Sequence, residues 1–322
     1  MKIFVAGATG VLGRELVPQL VARGHEVVGM TRNESKQDLV RGLGARPVLA
    51  DALDADSVAQ AVASAEPEVI VHQLTAFSEP MGIRDARRPD RAAAFRLTNR
   101  LRTEATDHLL AAGRAVGAGR VVGQSFGAFR FAHAGGPVLT EADPVAVEDA
   151  PEALRAVQAA YLYLEEAVTS IEWGEGIALR YGAFYGPGTS ISLTPDAVMA
   201  DPIRKRRFPI IGDGGGIWSF VHIEDAASAT VAAVENGGSG IYNAVDDEPA
   251  PVREWLPFLA EQLGAKKPMR VPRFVVRLLA GEAAVMQMTE VRGGSNAKAK
   301  RVLGWQPRWS SWRVGFAKGL GG

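Results

Sequence analysis

Three glycines spaced three apart, Gly7, Gly10 and Gly13, follow the apolar run Lys2-Ile3-Phe4-Val5-Ala6. In Gly7-Ala8-Thr9-Gly10-Val11-Leu12-Gly13 the first permits a tight turn. The second lets the backbone approach a pyrophosphate, and the third lets a helix pack closely on a strand. The phosphates would then meet a helix amino end, where free N–H groups and the dipole favour an anion. A strand before the glycines and a helix after them favour a dinucleotide site over a plain turn. A second apolar run ends Gly29-Met30-Thr31-Arg32. An NAD site places a carboxylate about there for the ribose hydroxyls. Here no carboxylate stands and a guanidinium follows, which suits a 2′-phosphate. The predicted cofactor is therefore NADP(H), with NAD(H) less favoured; a solvated Arg32 is the competing reading.

The elements that must position these residues are legible as a pattern. Strands are predicted at 2–6, 26–30, 47–50, 69–72, 120–124 and 176–180, and helices at 13–23, 57–65, 96–116 and 152–170. Strands alternating with helices imply a parallel sheet covered on both faces, and right-handed crossovers make it doubly wound. After Tyr185-Gly186-Pro187-Gly188 the alternation breaks, apart from a helix at 223–235 and a strand at 240–244. The remainder reads as a small α/β lid over the carboxyl edge of the sheet.

The chain has 322 residues with 36 Lys+Arg against 36 Asp+Glu, and no cysteine. Zero net charge gives no electrostatic footprint for nucleic acid. No apolar run reaches the roughly 18 residues of a membrane span, and no signal peptide is indicated. Without cysteine there is no disulfide, thiolate metal site or thiol nucleophile. A reducing cytoplasm is the expected location. No histidine–carboxylate spacing suggests a metal site. The run Arg204-Lys205-Arg206-Arg207 reads as a solvated helix end.

Further motifs fall in order along the chain: Ala50-Asp51-Ala52-Leu53-Asp54, Val71-His72-Gln73-Leu74-Thr75-Ala76, Asn99 with Thr103, Val121-Val122-Gly123-Gln124-Ser125, Leu179-Arg180-Tyr181-Gly182-Ala183-Phe184-Tyr185, Gly212-Asp213-Gly214, Phe220-Val221-His222-Ile223-Glu224-Asp225, Ile241-Tyr242-Asn243 and Leu303-Gly304-Trp305-Gln306-Pro307. With the glycine triplet they resemble the extended short-chain dehydrogenase/reductases, the NAD-dependent epimerase/dehydratase group, over nearly the whole chain. The resemblance implies a Rossmann-type, seven-stranded doubly wound sheet with a smaller, discontinuous C-terminal substrate domain. The Rossmann part would span 1–185 and 218–245, and the substrate domain 186–217 and 246–322. It assigns to the cofactor Gly7, Thr9, Gly10, Val11, Leu12, Gly13, Thr31, Arg32, Asp51, Ala52, Leu53, Gln73, Leu74, Thr75, Asn99, Tyr181 and Phe184. It makes His72 a packing residue, and implies a homodimer through the helices at 96–116 and 152–170.

The chemistry departs from that family. Its acid/base pair is Tyr-x-x-x-Lys on the helix after the serine strand. None of the five tyrosines, at 161, 163, 181, 185 and 242, has a lysine four residues on; after Tyr161 the position holds Glu165. The remaining catalytic candidates are Ser125, which would hydrogen-bond a substrate oxygen, and Tyr161. Glu165 and Glu166 read as solvated or ion-paired, and His133 as a surface residue. Members that handle nucleotide-sugars carry an arginine before Phe-Val-His, where this chain has Trp218 and Ser219. Phe77, Phe126, Tyr185 and Trp218 are the substrate-binding candidates, with Met81, Phe129 and Phe131 nearby, and they imply a mainly apolar pocket. The expected function is an NADP-dependent oxidoreductase acting on a small, mainly apolar organic carbonyl or alcohol. The alternatives are a non-redox cyclase or isomerase with a structural nucleotide, and a catalytically silent nucleotide-binding protein.

Overall fold

The computed structural model describes residues 1–77, 92–128, 130–132, 134–194 and 197–321. Its centre is one sheet of seven parallel strands: β1 Lys2–Ala6, β2 Glu26–Thr31, β3 Arg46–Leu49, β4 Val69–His72, β5 Arg120–Phe126, β6 Glu175–Tyr181 and β7 Gly240–Ala244. Their spatial order is β7-β6-β5-β4-β1-β2-β3. The order reverses between β1 and β4, which pair from Ile3↔Val69 to Ala6↔His72. Ligands of doubly wound sheets bind at such a switch point.

Alternate residues of each strand face opposite layers. Ile3, Val5, Val69, Val71 and Val122 enter one apolar cluster, with Leu12, Leu16 and Leu20 of helix α1 (Val11–Ala22) and Ala226, Ala229 and Val231 of α6 (Ile223–Glu235). Phe4, Ala6, Ile70 and Val121 enter the other, with Val58 and Val62 of α2 (Ala55–Ala65), Leu101 of α3 (Ala93–Arg102), Leu109 of α4 (Glu104–Val116) and Leu164 and Val168 of α5 (Glu152–Thr169). The result is a Rossmann-type three-layer fold.

The single helix expected over 96–116 is two helices meeting at Thr103, whose backbone stands at φ −103°, ψ −79°. The Thr103 hydroxyl bonds back to the Asn99 carbonyl at 3.1 Å, a side-chain interaction that bends helices.

A third cluster holds Trp255, Trp312, Phe316 and Phe220 beyond the carboxyl edge. Ala299, Leu303 and Trp305 return to the sheet's own cluster. No helix among the described residues is long and apolar enough to cross a membrane.

Candidate functional site

Gly7 closes the turn after β1 at φ +102°, a backbone that L side chains rarely adopt. A Cβ there would lie 2.8 Å from the Gln73 carbonyl oxygen. At Gly13 a Cβ would lie 2.3 Å from the Gly7 oxygen and 2.6 Å from the Ala8 oxygen, so α1 rests directly on the turn. Gly10 is the N-cap of α1, with no side chain capping it and no acid in the first turn. No side-chain cap or first-turn acid thus competes with an anion for the helix's first N–H groups. Gln73, beside this cradle, and Asn99, on α3, each carry a buried side-chain oxygen without a partner among the described residues. Two unpaired buried acceptors suit the hydroxyl and amide donors of a nucleotide, so the residues present fit a dinucleotide.

At the end of β2, Thr31 is buried and its hydroxyl bonds Asn33, while Arg32 stands exposed. Asp51 accepts from the Leu53 N–H at 3.0 Å, fixing the turn after β3, and the Ala52 carbonyl is bound by His108. Leu74, Thr75 and Phe77 follow β4 along the same edge, and Phe77 meets Phe95 edge-on at 5.1 Å.

Ser125 and Arg180 are register partners on β5 and β6. Both point to Glu165 on α5. The Ser125 hydroxyl donates to Oε1 at 2.5 Å, and Arg180 grips both carboxylate oxygens at 2.7 and 2.6 Å. Arg130 Nη1 lies 3.6 Å from the same carboxylate and donates to the Phe126 carbonyl. One turn earlier on α5, Tyr161 lies under Arg102, whose guanidinium carbon is 5.3 Å from the ring centroid. The Phe126 ring lies 6.1 Å from that of Tyr161. Arg102, Arg130, Arg180 and Glu165 are all buried.

Burial pushes the Glu165 carboxyl up, but the Arg180 bonds and charge, the Arg130 charge and the Ser125 hydroxyl outweigh it and hold it below its ordinary value. Burial pushes Arg102 down to about 10, against the pull of Tyr161 and Glu165. Burial, followed by the Arg180 charge, lowers Arg130. Burial raises the Tyr161 phenol despite Arg130 and Arg102. Tyr161 is therefore a poorer proton donor and acceptor near neutrality than a free phenol. Tyr161 and Glu165 lie one turn apart on α5, and that carboxylate is committed to Arg180.

Three expected site residues are buried in the apolar clusters. The Tyr181 hydroxyl is bound by Thr230 at 2.7 Å and Gln73 at 3.3 Å inside the sheet's cluster. Tyr185 is fully enclosed, edge-on to Phe316 at 5.2 Å and against Gly315, where a Cβ would lie 2.1 Å from its hydroxyl. The Trp218 indole N–H donates to the Gln287 carbonyl and its ring lies 4.8 Å from Trp255. Aromatic side chains bury their large apolar area first, and that decides all three. Phe131 joins the same C-terminal cluster. Phe184 packs on Tyr181. Met81, Phe129 and His133 lie outside the described residues. Sequence reasoning missed Arg102, Arg130 and Arg180 as a cluster; an arginine inside the apolar strand Ile177–Tyr181 is the signal that a buried partner exists.

His72 is held between the Leu74 N–H, which donates to Nδ1, and the Leu101 carbonyl, 3.0 Å from Nε2. Both bonds require the neutral ring with its proton on Nε2. Burial pushes its pKa down to about 4; the Leu101 bond opposes this and the Arg102 charge adds to it. The unfolded ring takes up a proton below about 6.5 and the folded one only near 4, so stability falls with pH between those values, by up to about 3 kcal/mol in all. Urea unfolding at pH 7 and pH 4.5 checks this. His72→Gln should flatten the dependence by about one proton; an unchanged slope would assign it elsewhere.

A model of the NAD dependent epimerase/dehydratase family matches residues 3–244. A Streptomyces protein named 3-diazoavenalumate denitrifying reductase is 42% identical over 99% of this chain and 100% of its own length. A Stigmatella aurantiaca protein named 4-hydroxy-2-methyl-3-oxo-4-farnesyl-3,4-dihydroquinoline-1-oxide ketoreductase is 29% identical over 83% of this chain and 74% of its own. Among solved structures, a Thermus thermophilus UDP-glucose 4-epimerase in complex with NAD superposes with a TM-score of 0.67 at 21% identity, covering 99% of this chain and 98% of that one.

Proposed function

Since the chain belongs to the NAD dependent epimerase/dehydratase family and is an NAD(P)-dependent oxidoreductase of that scaffold, we propose that it uses NADPH to reduce an organic carboxylate whose diazo group is the cationic aryl diazonium, with loss of dinitrogen. The observation that carries this reading is the missing acid/base pair: no tyrosine has a lysine four residues on, and Glu165 on the same helix is locked to Arg180 and Ser125. A carbonyl reduction must place a proton on the new alkoxide. A diazonium group needs none. When bound, the reduced nicotinamide supplies a hydride. The diazonium accepts that electron pair, the C–N bond breaks, N2 leaves, and carbon is left with a C–H bond. Hydride added to a cationic diazonium would leave a neutral product and N2, so charge would balance with no proton taken from the protein. The protein's share is to hold both partners in line and exclude water.

The name of the Streptomyces relative supports this reading, and the reductase names of both relatives favour redox chemistry over a cyclase, an isomerase or a silent binding protein. Buried guanidiniums beside Tyr161 draw the substrate away from the uncharged class expected from the aromatic residues; Phe126 and Phe77 remain as apolar walls. Exposed Arg32, with no carboxylate at the end of β2, supports NADPH over NADH. A homodimer through α3, α4 and α5 is part of the proposal, to be checked by light scattering against the 34.2 kDa monomer. Reduction of a ketone with Ser125 and Tyr161 at the carbonyl is the second reading, favoured by the name of the Stigmatella relative.

Purified protein with NADPH or NADH, given aryl diazo carboxylates or a ketone panel, separates the two. The expected result is NADPH loss with diazo compounds only, matched by N2, and a preference for NADPH that Arg32→Ala reduces about 10- to 100-fold, the scale of a charged hydrogen bond. Oxidation of NADPH with ketones alone would replace the first reading by the second.

A further inference from the structure

Arg102 and Arg130 are each only 4% exposed, yet they are not fully used. Arg130 Nη1 is engaged by the Phe126 carbonyl and Glu165, while its Nε and Nη2 have no partner among the described residues. Arg102 Nε has none either. A buried guanidinium with open donors is costly unless something anionic completes it. Among the described residues the carboxylate that serves this cluster is Glu165, and Arg180 already occupies both its oxygens.

The two arginines come from different elements, the end of α3 and the segment after β5, and both act electrostatically on Tyr161. Tyr161 presents its ring to Arg102 and to Phe126. Open guanidinium donors and aromatic faces thus converge at the carboxyl edge of β5. The phosphate cradle lies elsewhere, at the β1–α1 turn, so these arginines are not needed there. We propose that Arg102 and Arg130 bind a carboxylate carried by the substrate, with its unsaturated body lying against Tyr161 and Phe126. A planar guanidinium fork matches a carboxylate better than an ammonium does, which gives arginine the advantage here. This deepens the reductase reading and rests on it for the identity of the bound molecule as substrate.

The test is a calorimetric titration of the protein saturated with NADP+, using trans-cinnamate and its methyl ester as probes. Cinnamate is expected to bind at least tenfold more tightly than the ester. Arg102→Met and Arg130→Met should each weaken cinnamate at least tenfold, change the ester less than twofold, and leave NADP+ affinity within twofold. Arg130 also supports the Phe126 carbonyl, so Arg130→Met can fail to fold; Arg102→Met, which removes a cation with an open donor, then carries the test. Its thermal midpoint should not fall. Arg102→Lys keeps the charge without the fork and should recover only part of the affinity. Equal binding of acid and ester, no binding of cinnamate, or loss of NADP+ affinity in place of cinnamate affinity would overturn the site. Cinnamate binding with these dependences in a protein that never turns over a diazo carboxylate keeps the site and rejects the reductase reading. Turnover that ignores both arginines does the reverse.

Discussion

Glu165→Gln is expected to cost about 3–5 kcal/mol of folding stability, the range for breaking a buried pair and stranding its partner. The carboxylate is 2% exposed and holds Arg180 in two hydrogen bonds, the Ser125 hydroxyl in a third, and faces Arg130 at 3.6 Å. Glutamine keeps the size but removes the charge, leaving buried guanidiniums facing one another. Glu166→Gln, one residue on but exposed, should stay within about 0.5 kcal/mol. Denaturant unfolding of the two variants against the parent measures this. Combining Glu165→Gln with Arg102→Met should recover part of the loss, because one of the repelling cations is gone. A Glu165→Gln protein as stable as the parent would mean that the cluster is open to water.

Gly13→Ala is expected to remove nucleotide binding, by at least about 100-fold, or about 3 kcal/mol at 1.4 kcal/mol per tenfold. Its Cβ would stand 2.3 Å from the Gly7 oxygen and 2.6 Å from the Ala8 oxygen, both backbone atoms of the glycine turn. Relief requires α1 to lift off the turn, which moves the N–H groups that would hold the pyrophosphate. Gly42→Ala is the control: nothing lies within 4 Å of its Cβ, and nucleotide affinity should not change. Fluorescence titration with NADPH reads both. Undiminished binding by Gly13→Ala would show that the phosphates do not sit on α1.

The sheet was legible because its strands obey a simple rule: Ile3 and Val5 face one layer, Phe4 and Ala6 the other. The glycine triplet was legible for the same kind of reason, since backbone contact leaves no room for a side chain. The aromatic residues were not. Trp218 and Tyr185 belong to the C-terminal core, and nothing local distinguishes an aromatic ring that fills a core from one that lines a pocket. Ser125 was readable from its place at the end of a strand, but its partner was not. Glu165, Arg180, Arg130 and Arg102 come from α5, β6, the segment after β5 and α3, and meet only once the sheet has folded. A charge cluster spread over four elements has no period to betray it. The break at Thr103 depends on one hydroxyl bonding back along its helix, a choice that sequence leaves open.

Hydride delivery without a protein acid is tested most directly by isotope. The protein, an aryl diazo carboxylate and NADPH carrying deuterium at the transferable C4 position are combined in ordinary water, and the carbon that bore the diazo group is examined by mass spectrometry and NMR. One deuterium on that carbon, with one N2 released per NADP+ formed and no change when Tyr161 is replaced by Phe, is the predicted result. Solvent hydrogen at that carbon, no N2, or a rate that collapses in Tyr161→Phe with the protein still folded would contradict it.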